Sequence, residues 1–218
     1  MRALLALATV AVLAGPARAE PSDTKLFWVG VALAPPTYMV GVTLHEGSHA
    51  LMGKILGAEI TEMHLFPPGV DPHVDKFRFG WVYARGLTTN ADRQWFLIAP
   101  KITDTLLLGG FAALAFTDAW PSNRYGRLGL TAFATGLWID FSKDVLAFSK
   151  QNDVVKVFHN WCFTGWRQVP ARAVYTVAIA GLGYVVWHGY TRTFRSFADD
   201  DPITSSRTIS LPVWATAF

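Results

Sequence analysis

A chain of 218 residues that is 51% hydrophobic, 14% aromatic and only 16% charged has room for one domain and falls well short of the roughly 25% charged residues of an average soluble protein. Its net charge of +3 is scattered rather than gathered into a basic stripe, so no nucleic-acid partner is expected. The single cysteine, Cys162, cannot form an internal disulfide, and the fold is expected not to depend on oxidation.

Residues 1–19 read as a cleaved signal peptide. Arg2 is the positive start, residues 3–13 are the apolar stretch, and Ala17-Arg18-Ala19 is a small-x-small cleavage site. Cleavage leaves Glu20 as the mature terminus; the alternative is an uncleaved anchor, for which the apolar stretch is short. Pro35-Pro36 then interrupts an apolar run that begins at Leu26. Residues 26–34 are expected to form a short lead-in, with the first crossing restarting near Thr37, or else to be the upper half of one long kinked helix. Residues 37–57 are apolar, and about 20 residues at ~1.5 Å each cover the ~30 Å hydrocarbon core. Gly57 is the expected end.

Within that crossing stand His45, Glu46 and His49, the pattern H-E-x-x-H. Positions i and i+4 share a helix face, so both imidazoles can reach one metal ion. Glu46 can take a proton from a water at that metal. Ionisable side chains inside a membrane are costly, and three in five residues need a compensating partner that a divalent cation supplies.

Residues 58–93 are polar and broken by Pro67-Pro68-Gly69, Asp71-Pro72-His73, Gly80 and Gly86. Partial alternation over residues 76–83 signals a strand or hairpin. In a membrane protease this hairpin would lie at the mouth of the site and pair with an extended substrate; otherwise it is an amphipathic surface feature.

A second crossing is expected over residues 95–116, with Pro100, Lys101 and Asp104 inside it. Lys101 would snorkel or pair with Asp104. A third runs over residues 126–149 and carries Asp140, Lys143 and Asp144; Asp140 and Asp144 share a face, and Lys143 can pair with Asp140. After the polar break at residues 151–153, Asn152 or Asp153 is expected to cap a segment over residues 154–163. The last crossing covers residues 172–190, where His188 is interfacial. Residues 191–218 form a polar tail.

The expected fold is thus an all-α integral membrane protein of about four transmembrane helices after a cleaved signal peptide, with a small loop or hairpin between the first two. The membrane-embedded domain spans residues 20–190. With Glu20 outside, residues 58–93 and 150–172 fall inside, where Lys and Arg are more frequent. A multi-pass protein of a bacterial inner membrane is the expected localisation.

Catalytic zinc takes three protein ligands and leaves a position for water. His49 and His45 lie about 12 and 18 Å above the inner end at Gly57, at ~1.5 Å per residue, and Asp140, Asp144 and Asp153 all approach from that same side. Depth alone favours Asp144 or Asp140, while His64, His73 and Asp75 are outlying candidates.

The stretch HEGSHALMGKILGAEI on a membrane helix resembles the site-2-protease family of intramembrane zinc metalloproteases. Ala99-Pro100 matches the break of that family's next crossing. The stretch from Asp144 to Asp153 is similar to its distal ligand motif, with Asp153 in place of the ligand Asp. It lacks the motif's proline and has Val154 where glycine is usual. The resemblance covers residues 38–156. It implies Zn²⁺ held by His45, His49 and Asp153, with Glu46 catalytic. The substrate would be a membrane protein or peptide, cut within or near the lipid bilayer. The motif and the depth argument differ over the third ligand, and the motif is followed because a re-entrant break can lower Asp153 into the membrane. The alternative function is a non-catalytic membrane protein with a structural metal site or a partner-binding role.

Overall fold

In the computed structural model, which describes residues 20–146 and 152–194, the chain is mostly helical. The expected signal peptide, residues 147–151 and the tail from residue 195 lie outside the described residues. The long helices are α1 (Asp23–Ile55), α2 (Asn90–Ala115), α3 (Arg124–Leu146) and α5 (Gln168–Thr191); a short α4 (Asp153–Asn160) precedes α5. Strands β1 (Glu59–His64), β2 (Gly69–Asp71), β3 (Lys76–Arg78) and β4 (Trp81–Arg85) lie between α1 and α2.

α1 is one helix of 33 residues with Pro35 and Pro36 inside it. Of the two expectations, the restart at Thr37 does not occur and residues 26–34 are instead the upper part of one long helix. Each proline removes one helical N–H, but in an apolar segment leaving the helix would strand still more backbone polar groups. Pro100 likewise sits inside an unbroken α2. The end of α1 follows expectation. Gly57 adopts φ 78°, its N–H reaches Lys54 O, and Ala58 N–H reaches Gly53 O at 2.8 Å. That paired pattern closes a helix with glycine in the left-handed region. α2 opens with a reciprocal cap between Thr89 and Asp92.

α1, α2 and the segment Gly165–Thr191 are each long and apolar enough to cross a membrane. Their outer surfaces carry large apolar side chains, among them Leu51, Ile55, Leu106, Val174 and Val177. Helices that are apolar outside as well as inside suit lipid rather than water. α3 does not meet that standard, which separates it from the expected set of about four. Its Arg124, Arg127, Asp140, Lys143 and Asp144 lower its hydropathy, yet Arg124 and Asp144 are buried. α3 packs against α1, α2 and α5. Its buried Leu128, Thr131, Ala134, Leu137 and Phe141 recur every three or four residues, the spacing of a helix with one inward stripe. Leu108 and Phe111 of α2 and Ile179 and Val186 of α5 complete that core.

Arginines tie the helix ends together at the N-terminal end of α1. Arg124 donates to Pro21 O at 2.5 Å and Thr193 O at 3.0 Å and pairs with the Asp23 carboxylate. Arg192 donates to Ala115 O at 2.5 Å. Guanidinium groups thereby satisfy the carbonyls that α2 and α5 leave open where they end.

β1 pairs antiparallel with β4, and β2 with β3, so the strands form one long hairpin in two sections. The strand signal over residues 76–83 falls on β3 and β4, with Gly80 between them. Their partners are the upstream strands, not each other. The hairpin runs back along α1. Ile60 lies against Gly53, and Gly80 against Val42 and Glu46. Phe66 and Phe79 meet Tyr38 at ring distances of 6.2 and 5.3 Å. Ile55 to Tyr38 is ~25 Å of helix, so the hairpin flanks α1 and does not merely hang from its end.

Asp71 holds the two hairpin sections together. Its side chain is fully buried and accepts from Tyr83 Oη at 2.7 Å and His73 N at 2.9 Å, with Arg78 Nε at 3.2 Å. Burial alone would raise the Asp71 carboxyl, but the Tyr83 hydroxyl, the His73 amide and Arg78 together hold it below its usual range. Burial and the facing carboxylate push the Tyr83 phenol up to about 12.

Candidate metal centre

His45 and His49 stand one turn apart on α1, their rings edge to face with centroids 5.1 Å apart. His49 is buried and stacks on Phe96 of α2 at 4.8 Å. Its Nδ1 lies 2.7 Å from the Phe96 carbonyl oxygen. A carbonyl only accepts, so Nδ1 carries a proton and Nε2 is the nitrogen left for a metal or a second proton. His49 Nε2 lies 3.2 Å from Asp153 Oδ2, and His45 Nε2 is 3.7 Å from the same oxygen. One carboxylate oxygen thus meets both imidazole nitrogens, an arrangement that calls for a proton or a cation between them. Zinc bonds of 2.0–2.2 Å in a tetrahedron put neighbouring ligand atoms about 3.4 Å apart, and the observed spacings bracket that value.

Asp153 arrives through α4. Asn152 caps that helix, its Oδ1 accepting from Val154 N at 2.9 Å and Val155 N at 3.4 Å. Val154, Val155 and Val157 are buried, and α4 packs against α2. Lys156 Nζ holds the other Asp153 oxygen, Oδ1, at 2.8 Å. Of the expected cap candidates, Asn152 takes the role and leaves Asp153 free for the histidines.

The remaining carboxylates sit one step back. Asp140 Oδ2 lies 3.3 Å from His45 Nδ1, off line for a hydrogen bond. Asp144 turns to Lys101 Nζ at 2.7 Å and to Asn152 Nδ2 at 2.7 Å. Asp140 and Asp144, the acids that depth alone favours, both turn their carboxylates to Lys101, and only Asp140 also comes beside a histidine. Lys101 does not snorkel. It is buried, bonded to the Asp140 carboxylate, and 4.0 Å from Asp104. Lys143 pairs with Asp140 as its spacing suggests.

Among the described residues, two groupings bring three ligating side chains within reach of one ion: His45, His49 and Asp153, and His45, Asp104 and Asp140. In the second, His45 Nδ1 and Asp104 Oδ2 are buried without a hydrogen-bond partner. Lys101 supplies positive charge beside the second grouping as Lys156 does beside the first; the first differs in offering two imidazole nitrogens with a carboxylate, the donor set that suits zinc. His64 bonds to Pro67 O at 2.6 Å and stacks on Trp81. His73 pairs with Glu62, and Asp75 occupies a turn at φ 51°. None of these three joins either grouping.

Glu46 is buried and turned toward the hairpin. A Cβ on Gly80 would lie 2.9 Å from Glu46 Cγ and 2.8 Å from Val42 Cγ1. The absence of a side chain at position 80 is what lets the hairpin approach the glutamate. Sequence reasoning does not single out Gly80 or the Phe96 carbonyl, because neither residue type carries a motif. Lys101 was legible only as a charge inside an apolar run. No family model, curated protein or solved structure matches the chain.

Proposed function

We propose that the protein is a membrane-embedded zinc endopeptidase acting on transmembrane or membrane-proximal segments of other proteins. The observation that supports this most is the convergence of His45 Nε2 and His49 Nε2 on Asp153 Oδ2, at 3.7 and 3.2 Å. In this reading α3 is the fourth crossing, central in the bundle, with its charges turned inward.

His45, His49 and Asp153 would hold the ion. When bound, zinc supplies Lewis-acid polarisation of the scissile carbonyl and acidifies a water molecule. The Phe96 carbonyl fixes the His49 tautomer, so the ligating nitrogen is set before the metal arrives. Glu46 takes the proton of the attacking water as its oxygen bonds to the carbonyl carbon. It then delivers that proton to the departing amine as the C–N bond breaks, giving a carboxylate and an amine.

The hairpin supplies the substrate platform. Among the described residues, each strand of the β1–β4 ladder keeps one edge without a partner strand, and an extended segment can pair with such an edge. Gly80 lies against Glu46, so a peptide on that edge would run beside the general base. The surrounding helices keep bulk water from the cut.

The test is a cleavage assay in proteoliposomes with a single-span protein substrate. Glu46→Gln should keep its zinc and lose about 10²- to 10⁴-fold in rate, the usual contribution of a general base. Full activity in that variant would remove the mechanism.

A further inference from the structure

We propose that Lys101 is the positioning residue for two of the three metal ligands, acting through separate arms to His45 and Asp153 but not on His49. The inference rests on the zinc reading above and adds to it the device that sets the ligands in place.

A buried ammonium is costly unless its donors are matched. Lys101 is 5% exposed, and its donors meet three acceptors on α3. These are the Asp140 carboxylate, the Asp140 backbone oxygen at 3.0 Å and the Asp144 carboxylate at 2.7 Å. From there the two arms diverge. In the first, Asp140 Oδ2 contacts Lys101 and stands 3.3 Å from His45 Nδ1. The contact is off line for a hydrogen bond, so this arm acts through charge: an anion beside the rear nitrogen favours the proton on Nδ1 and leaves Nε2 for the metal. In the second, Asp144 Oδ2 takes Lys101 while Oδ1 accepts from Asn152 Nδ2 at 2.7 Å. Asn152 caps α4 through Oδ1, and the first residue of α4 is Asp153. Tyr175 Oη, 3.4 Å from Asp144 Oδ2, adds a contact from α5.

One ammonium on α2 therefore sets a ligand on α1 and a ligand on α4, using α3 as the relay. His49 lies outside this circuit because the Phe96 carbonyl orients it. The arrangement explains why Lys101, Asp140 and Asp144 are gathered between α2 and α3, with Asp153 alone set against the Nε2 atoms of both histidines.

The experiment uses the full chain in detergent. It reads zinc affinity by competition with a chromogenic chelator, and the visible absorption of the Co²⁺-loaded form. Asp140→Asn cuts only the first arm, and Asn152→Ala only the second. Each should weaken zinc binding about 10- to 100-fold, the usual cost of losing an outer-shell partner, and alter the Co²⁺ spectrum. Lys101→Met should weaken it by more than either. In a His45→Ala background, Asp140→Asn should have no further effect on the residual affinity, while Asn152→Ala still should. If Lys101→Met does not fold, the two single-arm variants still decide. Folded single-arm variants with unchanged affinity and spectrum would overturn the inference and leave the zinc reading standing. A wild-type chain that binds no zinc would overturn the zinc reading itself.

Discussion

The backbone carbonyl of Phe96 accepts a hydrogen bond from His49 Nδ1 at 2.7 Å. Because the acceptor belongs to the main chain of α2, it does not depend on which side chain stands at position 96. It leaves His49 Nε2, held 3.2 Å from Asp153 Oδ2, as the nitrogen turned to the candidate site, and the nearby His45 makes the third member. His49→Ala and Asp153→Ala should each weaken zinc binding by more than the roughly 100-fold reached by outer-shell changes. Chelator competition measures this. Asp144 contacts no ligating nitrogen, so Asp144→Ala should weaken binding less than Asp153→Ala.

Metal and stability should be linked. Stripping the ion with a chelator leaves three polar side chains converging without a cation, and the melting temperature of the detergent-solubilised protein should fall. Re-addition of zinc at 100 times its dissociation constant should restore about 2.7 kcal/mol. His49→Ala should show no such recovery when heated with and without zinc.

Gly80 is where the hairpin meets the helix that carries Glu46. A side chain there would collide with Val42 Cγ1 and Glu46 Cγ at 2.8 and 2.9 Å. Gly80→Val should cost about 1–3 kcal/mol through overpacking and reduce cleavage. Zinc affinity should be unchanged, because His49 and Asp153 lie toward α2 and α4. Parallel measurements of melting, cleavage and zinc binding separate these effects.

The Asp71–Tyr83 contact should give the hairpin a defined pH window. The folded carboxyl of Asp71 lies below its unfolded value, so its contribution is full above about pH 4 and is lost as pH falls through the folded value. The folded phenol of Tyr83 lies at about 12, above its unfolded value near 10. Its contribution is therefore full below about pH 10 and is lost as pH rises through the folded value. Hydrogen exchange of amides 69–85 should show protection within this window and loss outside it. Tyr83→Phe should abolish the alkaline limb and cost about 1–3 kcal/mol, since it strips a donor from a buried carboxylate.

The helix pair of the candidate site was legible because its chemistry is local. H-E-x-x-H fixes two imidazoles by helical spacing alone, and Gly57 marks the end of that helix by its backbone freedom. Asn152 and Asp153 were legible as a cap for the same reason. What the sequence left open was long-range. Depth along the helices pointed to Asp144 or Asp140 and only the motif resemblance to Asp153; what brings Asp153 beside the histidines is the packing of α4 on α2, which no local pattern encodes. Pro35-Pro36 misled because proline preference reflects water as the competing partner for freed carbonyls, and an apolar segment offers none. Lys101 does pair with its nearest acid in sequence, Asp104, at 4.0 Å, but its shorter contacts lie across a helix interface at Asp140 and Asp144. The strand signal at residues 76–83 was sound, but the register that joins β4 to β1 depends on the chain folding back along α1.

The claim on which the rest stands is that His45, His49 and Asp153 hold one metal ion. X-ray absorption at the zinc edge, on full-length protein purified without chelator, tests it most directly. The account predicts about one zinc per chain, with two imidazole nitrogens and a carboxylate oxygen at about 2.0–2.2 Å, and loss of the nitrogen signature in His45→Ala/His49→Ala. Wild-type protein that is folded and zinc-free after incubation with the ion, or whose zinc keeps its environment in that double variant, would contradict it.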